Sequence, residues 1–129
     1  MRILGLDIGT RRTGVAFVDQ SIGVPLALDT IESDSEADLV AQLLQLCDER
    51  EIDLLVIGLP LLPSGEEGAQ SSFVRLIGSR LEETEMPVEY LDERYTTQKH
   101  GENDGDARAA CELLTLFLDR DAHQSSENS

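Results

Sequence analysis

RILGLDIGTRRTGVA, residues 2–16, is the stretch on which the fold turns. Ile3, Leu4, Leu6 and Ile8 make a nearly continuous apolar run, the pattern of a strand covered on both faces rather than one. Asp7 interrupts that run. A carboxylate there is costly to bury unless donors or a cation meet it, so Asp7 reads either as a site residue or as a cap for the following turn. Gly9 and Gly14 bracket Thr10, Arg11, Arg12 and Thr13. This is expected to be a turn that brings backbone close to a ligand with two guanidiniums beside the acid.

Working outward, the 129 residues suit one domain with its own core, over residues 1–120, followed by a disordered acidic and polar tail at 121–129. No stretch approaches the roughly 20 apolar residues of a membrane span, and a strand starting at residue 2 leaves no room for a signal peptide. The expectation is a cytoplasmic protein with no membrane partner. Cys47 and Cys111 fall in expected helices without a CxxC or Cys/His cluster, and read as reduced, semi-buried packing residues. The 26 acids against 10 bases leave a net charge of −16, and Lys99 is the one lysine. Such a charge repels polyphosphate at low salt. The acids crowd positions 32–38, 48–53, 82–85 and the tail, whereas Arg11, Arg12, Arg94, Lys99 and Arg108 sit within the motifs below, so a local basic rim on an acidic body is expected.

After the first strand, Thr13–Asp19 alternates as a second, and Pro25–Glu32 reads as a third with proline at its entry. Short connections make these an antiparallel meander. Ser33 or Ser35 can cap a helix to about Arg50, with Leu39, Val40, Leu43, Leu44 and Cys47 on one face. Asp53–Gly58 is an apolar fourth strand, followed by a glycine-bearing loop and a helix from about Gln70 that turns Phe73, Val74, Ile77 and Leu81 inward. Met86–Leu91 is a fifth strand. Asn103 or Asp104 can cap a last helix, Gly105–Asp119, whose stripe is Ala110, Leu113, Leu114 and Phe117. The order implies an α/β fold: a five-stranded mixed sheet, its first three strands antiparallel, flanked by helices. Ligands of open α/β sheets gather at the carboxyl ends of strands, which places Asp7, Gly58–Pro60 and Asp92–Arg94 near one another.

Asp7, Glu93 after the fifth strand and Asp106 in the first turn of the last helix form a candidate carboxylate set. Hard divalent cations take oxygen ligands of this kind, and two such ions can activate water against a phosphodiester. Ala109 and Ala110 let the last helix press against the sheet. Glu93 reads equally as a plain loop acid, Asp92 as an orienting or capping group, His100 as a solvated loop residue and Tyr95 as packing at the loop base. Gly58-Leu59-Pro60 either turns the chain or leaves room for a nucleic-acid backbone.

The motifs Asp7-Ile-Gly-Thr-Arg-Arg-Thr-Gly14-Val-Ala16, Pro25-Leu26 with Thr30-Ile31, Val56-Ile-Gly-Leu-Pro60 with Gly65 and Gly68, Asp92-Glu-Arg94 with Thr96-Thr97, and Asp106-Ala-Arg-Ala-Ala110 resemble, in order, those of the YqgF family, also called RuvX. The resemblance implies an RNase H-like fold and a metal-dependent nuclease that matures the 5′ end of precursor 16S ribosomal RNA, or else one that resolves four-way DNA junctions. It implies Asp7, Glu93 and Asp106 as catalytic ligands to Mg²⁺ or Mn²⁺, as two ions, with Arg12 and Arg94 on phosphates. Thr10, Arg11, Gly58, Pro60, Thr97 and Lys99 complete the expected substrate contacts, in a monomer or homodimer.

One departure stands out. Members carry a further helical segment and a lysine-rich loop before the last helix, but here only Gln98–Gly105 separates Thr97 from Asp106. That implies a weak or partner-dependent enzyme, one adapted to high salt, or a non-catalytic RNA-binding or assembly module. The Asp-Ile-Gly-Thr hairpin also resembles the phosphate-binding turn of sugar kinases, which need two such domains. Acid excess with one lysine suits molar salt, where the Debye length shrinks to about 3 Å. The melting temperature is therefore expected to rise from about 0.1 M to about 2 M KCl, followed by circular dichroism; a flat profile contradicts salt adaptation.

Overall fold

The structure, a computed structural model, describes residues 1–92 and 103–128, with side chains described over 1–92 and 107–120. The apolar opening forms strand β1 (Arg2–Asp7), and a tight turn leads into β2 (Arg12–Asp19). The two pair antiparallel with Asp7 opposite Gly14. The second strand starts one residue before the expected Thr13, so Arg12 belongs to the strand rather than to the turn.

The expected third strand is two short ones, β3 (Leu26–Ala27) and β4 (Ile31–Glu32). Both pair antiparallel with β2, Ala27 opposite Ala16 and Ile31 opposite Thr13. Three residues, 28–30, therefore face two on β2. That extra residue is a β-bulge, which interrupts the ladder and bends the edge. It raises the strand number from the five expected to six among the described residues.

Helix α1 (Glu36–Arg50) starts at Ser35, whose hydroxyl accepts from the Asp38 amide at 3.1 Å. Ser33, the other candidate cap, is buried. Strand β5 (Leu54–Leu59), helix α2 (Ala69–Glu82) and strand β6 (Val88–Asp92) follow. β1, β5 and β6 run parallel, and the sheet order is β3-β2-β1-β5-β6 with β4 also on β2. β1 is thus central and must be covered on both faces.

Residue parity along β1 decides what covers it. Leu4, Leu6 and Ile8 join the core with Leu39 and Leu43 of α1 and Val74, Ile77 and Leu81 of α2. Ile3 turns to the other face, with Ala110, Leu113, Leu114 and Phe117 of helix α3 (Asn103–Asn128). The last helix is longer than expected at both ends. Asn103 and Asp104 lie within it rather than capping it, and helical backbone continues to Asn128 where a disordered stretch was expected. No glycine or proline after Gly105 interrupts propagation, so the helix outlasts its apolar stripe.

Cys47 and Cys111 are unpaired, Cys47 being buried, and burial pushes its thiol up to about 11. Among the described residues no helix is long and apolar enough to cross a membrane.

Gly5 sets the separation of α3 from the sheet. A Cβ at this position stands 2.7 Å from Leu114 Cγ and 3.0 Å from the Ala110 carbonyl oxygen. Gly5→Ala is expected to lower unfolding free energy by about 1–3 kcal/mol in urea titrations, because the helix must move outward or Leu114 must leave its rotamer.

Candidate functional site

The site is built on strand ends. Asp7 is the last residue of β1, and by alternation its side chain lies on the α3 face with Ile3 and Gly5. It is 7% exposed in an otherwise apolar strand. The last registered pair between β1 and β5 is Leu6 with Ile57, so Gly58 falls beside Asp7 one step further on. Gly58 in turn pairs with Leu91 of β6, and Leu59 with Asp92. Gly58 therefore adds no side chain of its own beside the buried carboxylate.

The hairpin after Asp7 is held by its own backbone. A Cβ on Gly9 would overlap the Arg12 carbonyl oxygen, so glycine is required for the turn to close. Thr10 and Arg11 are exposed at its tip and Arg12 is half-buried. The Ser33 amide donates to the Arg11 carbonyl at 3.0 Å, which ties the tip to the far end of β4. Two guanidiniums thus stand within five residues of the buried acid, one of them freely accessible to a large anion.

Two residues that the sequence did not single out hold the strand ends together. Gln70, in the first turn of α2, donates from Nε2 to the Ile8 carbonyl at 3.0 Å. Ser71, fully buried beside it, donates from its hydroxyl to the Pro60 carbonyl. Helix α2 therefore grips the residue after Asp7 and the residue after β5 at once. The only available signal was the position of two polar residues just past a glycine-bearing loop, in a helix start without a side-chain cap. That loop is pinned as well: Arg75 bonds Glu67 at 2.8 and 2.7 Å, lies over the Tyr90 ring at 5.0 Å, and its guanidinium holds the Glu67 carboxyl below the usual range.

The structure thus brings Asp7, Gly58 and Pro60 to one end of the sheet, with Thr10, Arg11 and Arg12 on the adjoining hairpin. Asp106 lies in the first turn of α3, its side chain outside the described set. Glu93, Arg94, Thr97 and Lys99 lie outside the described residues. Among the described residues no group of three or more acids, histidines or cysteines could hold a metal ion. What is on view is one oxygen donor pair, buried at a strand end and next to arginines. That is a chemistry suited to a hard cation or to a phosphate-bearing ligand approaching the arginines.

The family described as "RuvX: Holliday junction resolvase" matches residues 1–120. The "Putative pre-16S rRNA nuclease" of Synechocystis sp. is 40% identical over 95 residues, 73% of this chain and 62% of the relative. The protein of the same name from Crocosphaera subtropica is 45% identical over 95 residues, 73% of this chain and 66% of the relative. The chain thus spans slightly under two thirds of the length of these relatives. Among solved structures, T. thermophilus RuvC in complex with Holliday junction substrate has a TM-score of 0.63 at 13% identity, covering 93% of this chain and 95% of that one. The yeast mitochondrial Holliday junction resolvase Ydc2 has a TM-score of 0.56 at 14% identity, covering 94% and 80%. At such identities the likeness is one of fold, the RNase H-like arrangement of RuvC.

Ser71→Ala is expected to cost about 1–3 kcal/mol in urea unfolding, since it removes the donor to a strand-end carbonyl in a buried setting, and Gln70→Ala less, because Gln70 itself is exposed and its bond competes with water.

Proposed function

Because this chain belongs to the RuvX family, we propose that it is a metal-dependent nuclease, hydrolysing phosphodiester bonds in the 5′-end processing of precursor 16S ribosomal RNA. The observation that carries the reading is the family match over residues 1–120, with Asp7 buried at the end of the central strand beside Gly58. The names of the curated relatives favour RNA as the substrate. The family's own description favours a branched DNA junction, which is the second reading.

In this reading Asp7, Glu93 and Asp106 would hold the metal ions. The fit rests on the donor type: the Asp7 carboxylate at the end of β1 and Asp106 in the first turn of α3 offer the oxygen ligands that hard divalent cations take. Bound there, Mg²⁺ or Mn²⁺, as a pair of ions, would supply Lewis-acid activation of water and charge neutralisation at the leaving oxygen. The chain's own residues position the substrate. Arg11 and Arg12 take phosphate oxygens by charge-assisted hydrogen bonds, and Thr10 adds a hydroxyl at the same tip. Gly58 and Pro60 give the nucleic-acid backbone a close approach at the end of β5. Arg94, Thr97 and Lys99 extend the same contact surface. Gln70 and Ser71 act through backbone, keeping Ile8 and Pro60 in place so that the hairpin and the β5 end face the same phosphate. The setting we infer is the cytoplasm, with nucleic acid as partner and the chain as monomer or homodimer.

The deciding assay incubates the protein with precursor 16S RNA and with a four-way DNA junction, in Mn²⁺ or Mg²⁺, across a KCl series. Cleavage of the RNA that stops with chelator is expected. Asp7→Asn should reduce it by more than the roughly 10–100-fold that outer-sphere partners of a metal contribute, at an unchanged melting temperature. Retained cutting by Asp7→Asn moves the site elsewhere, and RNA binding unaffected by both Asp7→Asn and chelator, without cutting, makes the chain an assembly module.

A further inference from the structure

The edge of the sheet opposite β6 carries a groove that the nuclease reading does not use. It lies between β3–β4 and helix α1, with a volume of about 510 Å³, within the roughly 300–1,000 Å³ of ligand pockets. Its floor is Leu28, Ile31 and Leu46, half-buried side chains continuous with the core. Its walls carry Asp29, Glu32 and Glu49.

Three observations say what fits it. First, the edge is open to pairing. The Leu28 amide donates inward to the Val15 carbonyl at 2.9 Å, so the backbone groups of Ala27, next along the strand, point away from β2 toward solvent. The far end is closed, because Gln42 donates to the Glu32 carbonyl at 2.9 Å. Second, the walls are negative. None of Asp29, Glu32 and Glu49 forms an ion pair among the described residues. The one cation lining the groove, Arg50, has its guanidinium over the Phe17 ring at 5.1 Å. Third, the turn and loop leading into β3 add exposed apolar side chains, with Ile22, Val24 and Leu26 72%, 61% and 56% exposed. Apolar side chains gathered beside an open sheet edge are surface that a docked segment covers.

We propose that this groove docks an extended, lysine- or arginine-rich segment of another protein. The segment adds a short strand beside Ala27, sets apolar side chains against Leu28 and Ile31, and places cations between the acids of the edge and of α1. Strand addition between a sheet edge and a flanking helix gives affinity through main-chain bonds and specificity through alternate side chains. The charge decides among occupants. RNA is repelled by the same acids, and a second copy of the chain brings its own net charge of −16 and the same three carboxylates to the contact. The bulge at 28–30 limits pairing to the stretch around Ala27, so the segment is short and most of its selectivity comes from charge.

The test is fluorescence anisotropy of the full chain with labelled octapeptides of alternating valine and lysine, at about 0.15 M KCl, where surface charges beyond about 8 Å are screened. A proline–lysine octapeptide has the same charge and cannot pair. The valine–lysine peptide is expected to bind at least about tenfold tighter than the proline–lysine one, and to lose about tenfold with Ala27→Pro, which removes only the outward amide. Glu32→Lys with Glu49→Lys should abolish binding, and this pair keeps the test open if Ala27→Pro does not fold. Cleavage of precursor RNA by Ala27→Pro should stay at the parent rate, which separates this groove from the nuclease reading. Equal affinity for both peptides, unchanged binding by the double charge variant, or a dimer in size-exclusion chromatography that Ala27→Pro dissociates would each overturn the proposal.

Discussion

The structure depends on a single constraint: β1 is central, buried on both faces, and ends in a carboxylate. A central parallel strand needs a helix layer on each side, and the two layers here are unequal. Among the described residues, α1 and α2 share one face and α3 covers the other. α3 lies close to the sheet, and Gly5 is where closeness is achieved. Leu114 and the Ala110 backbone occupy the volume that a side chain at residue 5 would fill. The same face carries Asp7 two residues further on. The packing that seals the strand thus also determines what can reach its acid.

The strand ends are then organised from the opposite layer. α2 carries no acid in its first turn and no side-chain cap, and spends its first polar side chains on the Ile8 and Pro60 carbonyls. Neither Gln70 nor Ser71 faces the α3 side. Each nevertheless controls the backbone of a segment at the Asp7 end of the sheet, so the geometry around Asp7 is shared between the two helix layers. In a family of nucleases this is a way of keeping a hairpin and a strand end in fixed relation without placing more side chains in the cleft.

Charge divides the molecule along the sheet. Arg11 and Arg12 stand on the hairpin beside Asp7, and the α1 edge is acidic. The net charge of −16 therefore averages two surfaces of different character. The arginines of the hairpin are the groups that the proposed function turns toward phosphate, since a guanidinium forms forked contacts with it and stays charged. The edge carboxylates form no ion pair among the described residues, which is the basis on which a cationic segment is proposed there.

By itself the sequence determined the layers. The unbroken apolar runs of β1 and β5, the helical spacing of Leu39, Leu43, Val74, Ile77, Leu113 and Leu114, and the order of elements leave little but a mixed sheet between helices, because period and burial are local properties that survive in any tertiary setting. It also marked Asp7, since one charge in such a run is conspicuous. Contacts across long sequence separations were out of reach. Nothing local says that Gln70 bonds Ile8, that the expected strand Pro25–Glu32 breaks into β3 and β4, or that Asn103 and Asp104 lie inside α3. The bulge arises because three residues must face two on β2, and a register is a relation between strands that neither strand encodes alone. The groove beside it has the same origin: its acids sit on α1 and on the edge, dispersed in the chain, and only the packing of that helix against that strand makes them one surface.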